Sequence, residues 1–471
     1  MRGLSSEEFA KSIGFTKNIV FINEELFWKC SVKTLKRTGN TERKNDMKTT
    51  ALRLYGKQDL RLETFELPPI QEDELLVRIV SDSLCMSSYK AAIRGADHKR
   101  VPDDVVQNPT ILGHEFCGEI VEIGSKWTDR YQVGQRFIVQ TAMKETYDAI
   151  GYSFCNVGGN ATYGIIPGMV VAGDYLIPYY GDAWFCGSLT EPLSCVIGAS
   201  HANYHTTMGE YTHKMETVEN GTMAALAAVG PMGLAFLDYI IHRDRKPSLL
   251  VVTDIDAERL KRASEILTVE DAAKNGVKLV YLNTANEQDP IAALMECSGQ
   301  RGFDDVFAFA PVAAVVEQAD AILGYDGCLN FFAGPSDEKF SAKFNFYDVH
   351  YNASHITGTS GGNTDDMKEA LELASKGAIN PAILVTHIGG LDAAKEATLN
   401  LPKIPGGKKL IYNHIAFPLT AIADLAEKGK TDPLYQKLHE LCAQTGGLWN
   451  LDAERYLLEN APKLDAEQYD K

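Results

Sequence analysis

From Thr49 to about Gln140, apolar and polar positions alternate in short runs broken by Gly and Pro. Leu75–Val80, Gly118–Gly124 and Gln135–Val139 each follow the two-residue period of a strand with one buried face. Short strands at this spacing predict a compact β-barrel rather than a parallel sheet. Residues 151–200, rich in Gly and aromatics with few helical periods, read as loops plus strands. After about residue 220 the rhythm changes. An apolar strand, a Gly-containing turn and a helix over Leu234–His242 lead into the strand Leu249–Asp254. The helix Ala257–Leu267 follows, then strands at Val277–Leu282, Phe303–Phe307, Cys328–Phe332 and Ile356–Thr359. Strands alternating with helices of this length predict a doubly wound α/β domain. The helix Asp365–Lys376 ends at Gly377, a residue suited to a helix C-terminus. The last 55 residues read as helical, forming a surface layer or contact.

Composition narrows the classes. A chain of 471 residues, 45% hydrophobic and 23% charged, exceeds what one core usually supports and predicts two or more domains. Its 46 basic and 63 acidic side chains give −17, which argues against nucleic-acid or anionic-membrane binding. Residues 1–46 differ, with nine basic and six acidic side chains, and read as an upstream extension without chemistry. Residues 47–471, with 37 basic and 57 acidic side chains, carry −20. No apolar run reaches the ~18–20 residues of a membrane helix, and the first thirty residues lack a signal-peptide core. Nine irregularly spaced cysteines do not suggest a secreted disulfide framework, so a cytoplasmic location is expected.

The segment Ala228-Val229-Gly230-Pro231-Met232-Gly233 sits between a predicted strand and helix, where dinucleotide folds place their phosphate-binding turn. Gly230 would admit the pyrophosphate to the backbone, and Gly233 would let helix pack closely on strand. Ala228 replaces the first glycine of the usual fingerprint. Asp254, ending the next strand, is placed to accept from a ribose 2′-hydroxyl and to repel a 2′-phosphate, which favours NAD(H) over NADP(H). Its other reading is a helix N-cap, a position that suits Asp256 better.

Cys85, His114, Glu115 and Glu191 are candidate metal-site residues, since catalytic zinc takes three N, S or O ligands and keeps one position open. Their dispersed spacing identifies no site by itself. The surrounding residues do more. Gly113-His114-Glu115-Phe116-Cys117-Gly118-Glu119-Ile120-Val121-Glu122-Ile123-Gly124 resembles the zinc signature of the medium-chain dehydrogenase/reductases, and Ser83–Ser88 resembles their first-ligand loop. Glu191-Pro192-Leu193-Ser194-Cys195 is similar to the Glu-Pro segment of the sorbitol dehydrogenase branch, and Lys408-Lys409-Leu410-Ile411 to its closing strand. These motifs occur in the family order over roughly residues 48–413. Met47–Gly56, Gly95–Lys99 with Val101–Asp104, Asn330–Pro335 and Gly358–Met367 resemble the L-sorbose-1-phosphate reductases within that branch.

The resemblance implies a Rossmann cofactor domain at 206–362, inserted into a GroES-like barrel catalytic domain. The two parts of that catalytic domain would be 47–205 and 363–471, the second with a helical tail. It implies one catalytic zinc held by Cys85, His114 and Glu191, with Glu115 either supporting the ligands or exchanging with water. The structural zinc of many members needs four close cysteines, and between Gln140 and Gly181 this chain has only Cys155. The implied reaction is hydride transfer between NAD(P)H and a polyol or ketose phosphate, L-sorbose 1-phosphate to D-glucitol 6-phosphate, in a homodimer or homotetramer. Ser87 is either a proton-relay hydroxyl or a turn cap. Ser88 stands where relatives often carry Asp or His. A phosphorylated substrate needs positive charge, and Lys90, Arg94, Lys99 and Arg100, between the first two proposed ligands, are the candidates; a solvated helix face is the alternative. Another polyol or hexitol-phosphate dehydrogenase of the same fold, and a non-catalytic nucleotide-binding protein, are the competing readings.

Overall fold

Two large sheets organise residues 47–470, the part of the chain that the computed structural model describes. The expected extension, 1–46, lies outside these residues. The first is an eight-stranded, mostly antiparallel sheet built around the strand Leu75–Leu84. That strand pairs with Phe116–Ile123 along one edge; along the other, Tyr163–Ile166 pairs with its first half and Lys408–Tyr412 with its second. A three-stranded sheet, Asp59–Glu66, Lys48–Gly56 and Thr110–Ile111, lies against it. Ala51, Leu75, Ile79, Ile111, Phe116 and Phe137 fill the space between as one apolar cluster. A buried side chain of this kind contributes about 1.5–3 kcal/mol over its exposed state, and the cluster makes the barrel a packed body.

The second sheet is parallel and six-stranded. Its order is Lys278–Asn283, Leu249–Asp254, Thr222–Leu226, Phe303–Ala308, Leu323–Phe331 and His355–Thr357. In order of appearance this is 3-2-1-4-5-6, the arrangement of dinucleotide-binding sheets. Every residue of Thr222–Leu226 and of Leu249–Asp254 is buried, as expected when helices cover both faces. Prolines at 231, 290 and 433 open helices where a missing N–H costs nothing. Asp256 caps Ala257–Ile266, and Asn363 with Asp366 forms a capping box on Thr364–Ser375. The fold is therefore mixed α/β, a doubly wound sheet inserted between segments of a β-rich barrel.

Two expectations change. Residues 151–200 hold three helices, Gly168–Ala172, Trp184–Ser188 and Thr190–Ala202, in addition to strands and loops. The longest of them is buried on nearly every side, so it has no polar face and no amphipathic period. The tail is more than a surface layer. Trp449 is fully buried, and Glu454 from the helix Leu451–Asn460 accepts the N–H groups of Trp184 and Phe185 at 2.7 and 2.8 Å. These bonds cap the helix Trp184–Ser188, which leads directly into Thr190–Ala202.

Candidate active site

Cys85 follows the end of the strand Leu75–Leu84, and His114 and Glu115 precede the paired strand Phe116–Ile123. Pairing of Asp82 with Phe116 brings the two strand ends together. Gly113 turns the chain with φ 98°, and a β-carbon there would meet Asn160 Nδ2 at 2.5 Å, so a glycine is needed to aim His114. The ligand atoms of Cys85, His114 and Glu115 all lie within 4.8 Å of one another. Glu191, in the first turn of Thr190–Ala202, stands outside that triangle, with Oε1 3.9 Å from Cys195 Sγ. The sequence placed Glu191 in a loop or strand end; the helix supplies it instead.

The electrostatics suit a cation. Burial pushes the Cys85 thiol up to about 12, with Glu115 adding to the rise. Burial also lowers the His114 pKa, against the opposing fields of Glu191 and Glu115, which keeps a neutral imidazole. Burial raises the Glu191 carboxyl, opposed by His114 and reinforced by Glu115. Glu115 Oε2 is buried without a hydrogen-bond partner. A soft sulfur, a neutral imidazole and a spare carboxylate oxygen converging here fit a divalent metal such as zinc.

Four further residues support the cluster. Lys408 Nζ lies 2.5 Å from Glu115 Oε1. Burial pulls the Lys408 pKa down, yet Glu115, Cys85 and Glu191 more than offset it, so the ammonium stays charged. Asp82 is fully buried, accepting from the Glu115 N–H at 3.2 Å and from Asn160 Nδ2 at 3.0 Å. Burial and then Glu115 raise its carboxyl well above the usual range. Ser88 Oγ is 3.2 Å from His114 Nδ1, and the Tyr152 hydroxyl is 3.3 Å from Nε2. Ser88 thus meets the imidazole directly. Ser87 lies beside the Tyr152 phenol, while Cys85, at the N-cap of Met86–Arg94, makes no side-chain cap. Sequence reasoning missed Asp82 and Tyr152 and read Lys408 only as part of a strand. A lysine pair opening an apolar strand was the available signal, because alternation sends the two side chains to opposite faces.

The cofactor turn has the geometry its residues suggest. Gly230 is the N-cap of Pro231–His242, with Pro231 at the first helical position and Met232 packed on the core. A β-carbon at 233 would meet Ala228 O at 2.0 Å, whereas one at 230 would meet nothing within 4 Å. The helix therefore packs tightly while its N-terminus stays open, a cradle for a pyrophosphate. Asp254 Oδ1 accepts from the N–H groups of Ile255 and Asp256, and Oδ2 makes no hydrogen bond among the described residues.

The basic segment divides. Lys90 Nζ donates to Gly334 O at 2.8 Å, and Arg94 Nη2 to Ser336 O at 2.6 Å. Lys99 and Arg100 instead line a cavity of 440 Å³ with Lys144 and Ser360. The Arg100 guanidinium lies 5.6 Å from the centre of the Tyr152 ring.

Comparisons with known proteins agree with this geometry. Residues 71–177 match the alcohol dehydrogenase GroES-like domain family, and 249–376 match the zinc-binding dehydrogenase family. The chain is 50% identical to mannitol-1-phosphate 5-dehydrogenase of Aliivibrio fischeri, over 87% of this chain and 97% of that one. It is also 50% identical to L-sorbose 1-phosphate reductase of Klebsiella pneumoniae, over 88% and 98%. The 2R,3R-butanediol dehydrogenase structure from Bacillus subtilis shares the fold, with a TM-score of 0.63 and 20% identity over 77% of this chain and 99% of that one.

Proposed function

Because the chain belongs to the zinc-dependent medium-chain dehydrogenase/reductases, as an oxidoreductase of the polyol and sugar-phosphate type, we propose that it interconverts L-sorbose 1-phosphate and D-glucitol 6-phosphate with NAD(H). The observation that carries this reading is the neighbourhood of two features: a Cys85–His114–Glu115 metal cluster, and Arg100, which lines a cavity with Lys99 and lies 5.6 Å from the ring of Tyr152 beside His114. Mannitol 1-phosphate is the second reading, because a relative of equal identity carries that name.

Cys85 and His114 would hold one zinc per chain, and the metal would polarise the substrate oxygen. The third ligand would be either Glu115, whose carboxylate lies beside their ligand atoms, or Glu191 from the first turn of Thr190–Ala202. Gly230, Pro231, Met232 and Gly233 would cradle the dinucleotide pyrophosphate, and Asp254 would accept from its ribose. Ser88 meets the His114 ring at Nδ1 and the Tyr152 hydroxyl meets it at Nε2, so the two hydroxyls orient the imidazole. Lys408 balances Glu115 so that carboxylate charge is tolerated next to Cys85. Ser87, beside Tyr152, is the hydroxyl that would pass a proton to the substrate oxygen as hydride reaches the adjacent carbon. A homodimer or homotetramer is part of this reading, on family grounds.

The test is turnover of NADH, then NADPH, by metal-replete protein. The substrates are L-sorbose 1-phosphate, fructose phosphates and free ketoses, with the measurements repeated after chelation. NADH oxidation that survives complete zinc removal overturns the metal assignment. Turnover of free ketoses alone overturns the phosphorylated substrate.

A further inference from the structure

We propose that the substrate phosphate is held by Lys99, Arg100, Lys144 and Ser360 in the cavity they share, and that Lys90 and Arg94 serve instead to grip the loop at Gly334–Ser336. This rests on the sugar-phosphate reading above and adds a division of labour among the cations, plus two residues outside the basic segment.

Among the described residues, Lys99, Arg100 and Lys144 take part in no ion pair, whereas Arg94 faces Glu338 at 3.9 Å. The side-chain donors of Lys90 and Arg94 already meet backbone carbonyls. The unpaired cations are therefore those around the cavity. Its 440 Å³ falls within the roughly 300–1,000 Å³ of small-molecule sites. Two acids, Glu145 and Asp148, line the same space. Glu145 Oε2 accepts from the Tyr175 hydroxyl at 2.7 Å. A cavity with three cations and two carboxylates suits a molecule with a phosphate at one end and hydroxyl donors along its length. The cations match the phosphate and the carboxylates the hydroxyls, and a free polyol would leave the cations unused.

Contacts run from one lining residue, Arg100, to the metal cluster. Arg100 lies 5.6 Å from the Tyr152 ring centre, and the hydroxyl of that ring is 3.3 Å from His114 Nε2. One aromatic side chain, Tyr152, thus lies between Arg100 and the metal cluster, close enough for a phosphate on the carbon next to the reacting carbonyl. His98, stacked on Tyr152 with ring centres 5.5 Å apart, has its pKa lowered to about 4, first by burial and then by Arg100.

The experiment uses zinc-loaded enzyme and steady-state kinetics with L-sorbose 1-phosphate and free L-sorbose, and inorganic phosphate as an inhibitor. Lys99→Met, Arg100→Met and Lys144→Met are each expected to raise the ratio of KM for phosphorylated over free ketose about tenfold, the worth of one charged hydrogen bond. Each should weaken inhibition by inorganic phosphate alongside. Lys90→Met and Arg94→Met should move both ketoses together and leave that ratio near the parent value. Selectivity lost only in the Lys90 and Arg94 variants overturns the assignment, as does an unchanged ratio in Lys144→Met. If the parent enzyme rejects L-sorbose 1-phosphate and fructose 6-phosphate, the substrate reading fails by itself. Phosphate inhibition weakened by Lys144→Met would then still support the site, and its persistence would sink both.

Discussion

Lys408 Nζ lies 2.5 Å from Glu115 Oε1 in an almost dry setting, with side-chain exposures of 6% and 1%. The two residues come from barrel segments that the whole parallel sheet separates in the chain. Deleting one partner of such a pair leaves a buried charge unmatched, at a cost of about 3–5 kcal/mol. Lys408→Met is therefore expected to lower the unfolding midpoint by several degrees. The double variant Lys408→Met with Glu115→Gln should regain most of that loss. Thermal unfolding of the three proteins checks it, and a double variant as unstable as the single one contradicts the pairing.

The two glycines of the cofactor turn should behave differently. Gly233→Ala forces a β-carbon to 2.0 Å from Ala228 O, so it must displace the helix and destabilise the fold. Gly230→Ala meets no protein atom within 4 Å and should fold with an unchanged midpoint. It should nonetheless bind NADH at least tenfold more weakly, because a methyl group enters the space meant for the pyrophosphate. Fluorescence titration with NADH beside a melting curve separates the two effects.

Asp254 should decide between cofactors. Asp254→Ser removes a carboxylate that would accept from the ribose and repel a 2′-phosphate. We expect KM for NADH to rise about tenfold, the value of one hydrogen bond to a charged group, while KM for NADPH falls. Equal changes for both cofactors would place Asp254 in a purely structural role.

His201 ties the helix that carries Glu191 to Thr364–Ser375 through Asp366 at 2.8 Å and Glu369 at 3.3 Å. Hydrogen bonds to Asp366 and then Glu369 raise its pKa from 6.5 to about 10, against the effect of burial. The folded state therefore holds a proton that the unfolded chain releases. Its stabilisation is complete below about pH 6.5 and fades as pH rises through about 10. His201→Gln should cost about 1 kcal/mol at pH 6, a partly exposed pair being worth little more. Denaturant titrations should show that difference gone above pH 10; a constant difference would exclude the ion pairs as its source.

How much of this was legible from the chain depends on the range of the signal. The parallel sheet announced itself because runs such as Leu249–Asp254 are buried on both faces, and Asp256 marked its helix start as a local cap. The helix Thr190–Ala202 gave no such signal, since residues on all its sides are buried and the chain carries no polar stripe to mark a period. The site divides the same way. Cys85, His114 and Glu115 sit in motifs, and the structure draws them together. Asp82, Tyr152 and Lys408 meet them through strand register and long-range packing, which a linear sequence does not display. The pairing of Lys409 with Leu84 is what delivers Lys408 next to Cys85.

Glu454 gives the molecule an order of assembly. It accepts from Trp184 and Phe185 and from the Tyr412 hydroxyl, which Trp449 holds in turn at 2.8 Å. The helix it caps runs into the one that presents Glu191. Domains fold as the ribosome releases them, N-terminal parts first. Cys85 and His114 emerge long before the tail, and Lys408 also arrives late. A nascent chain therefore passes most of its synthesis with Asp82, Cys85, His114, Glu115 and Glu191 made, and with Lys408 and Glu454 still missing. A chain that stops short of Glu454 would lack the carboxylate that caps the helix running into the one that presents Glu191.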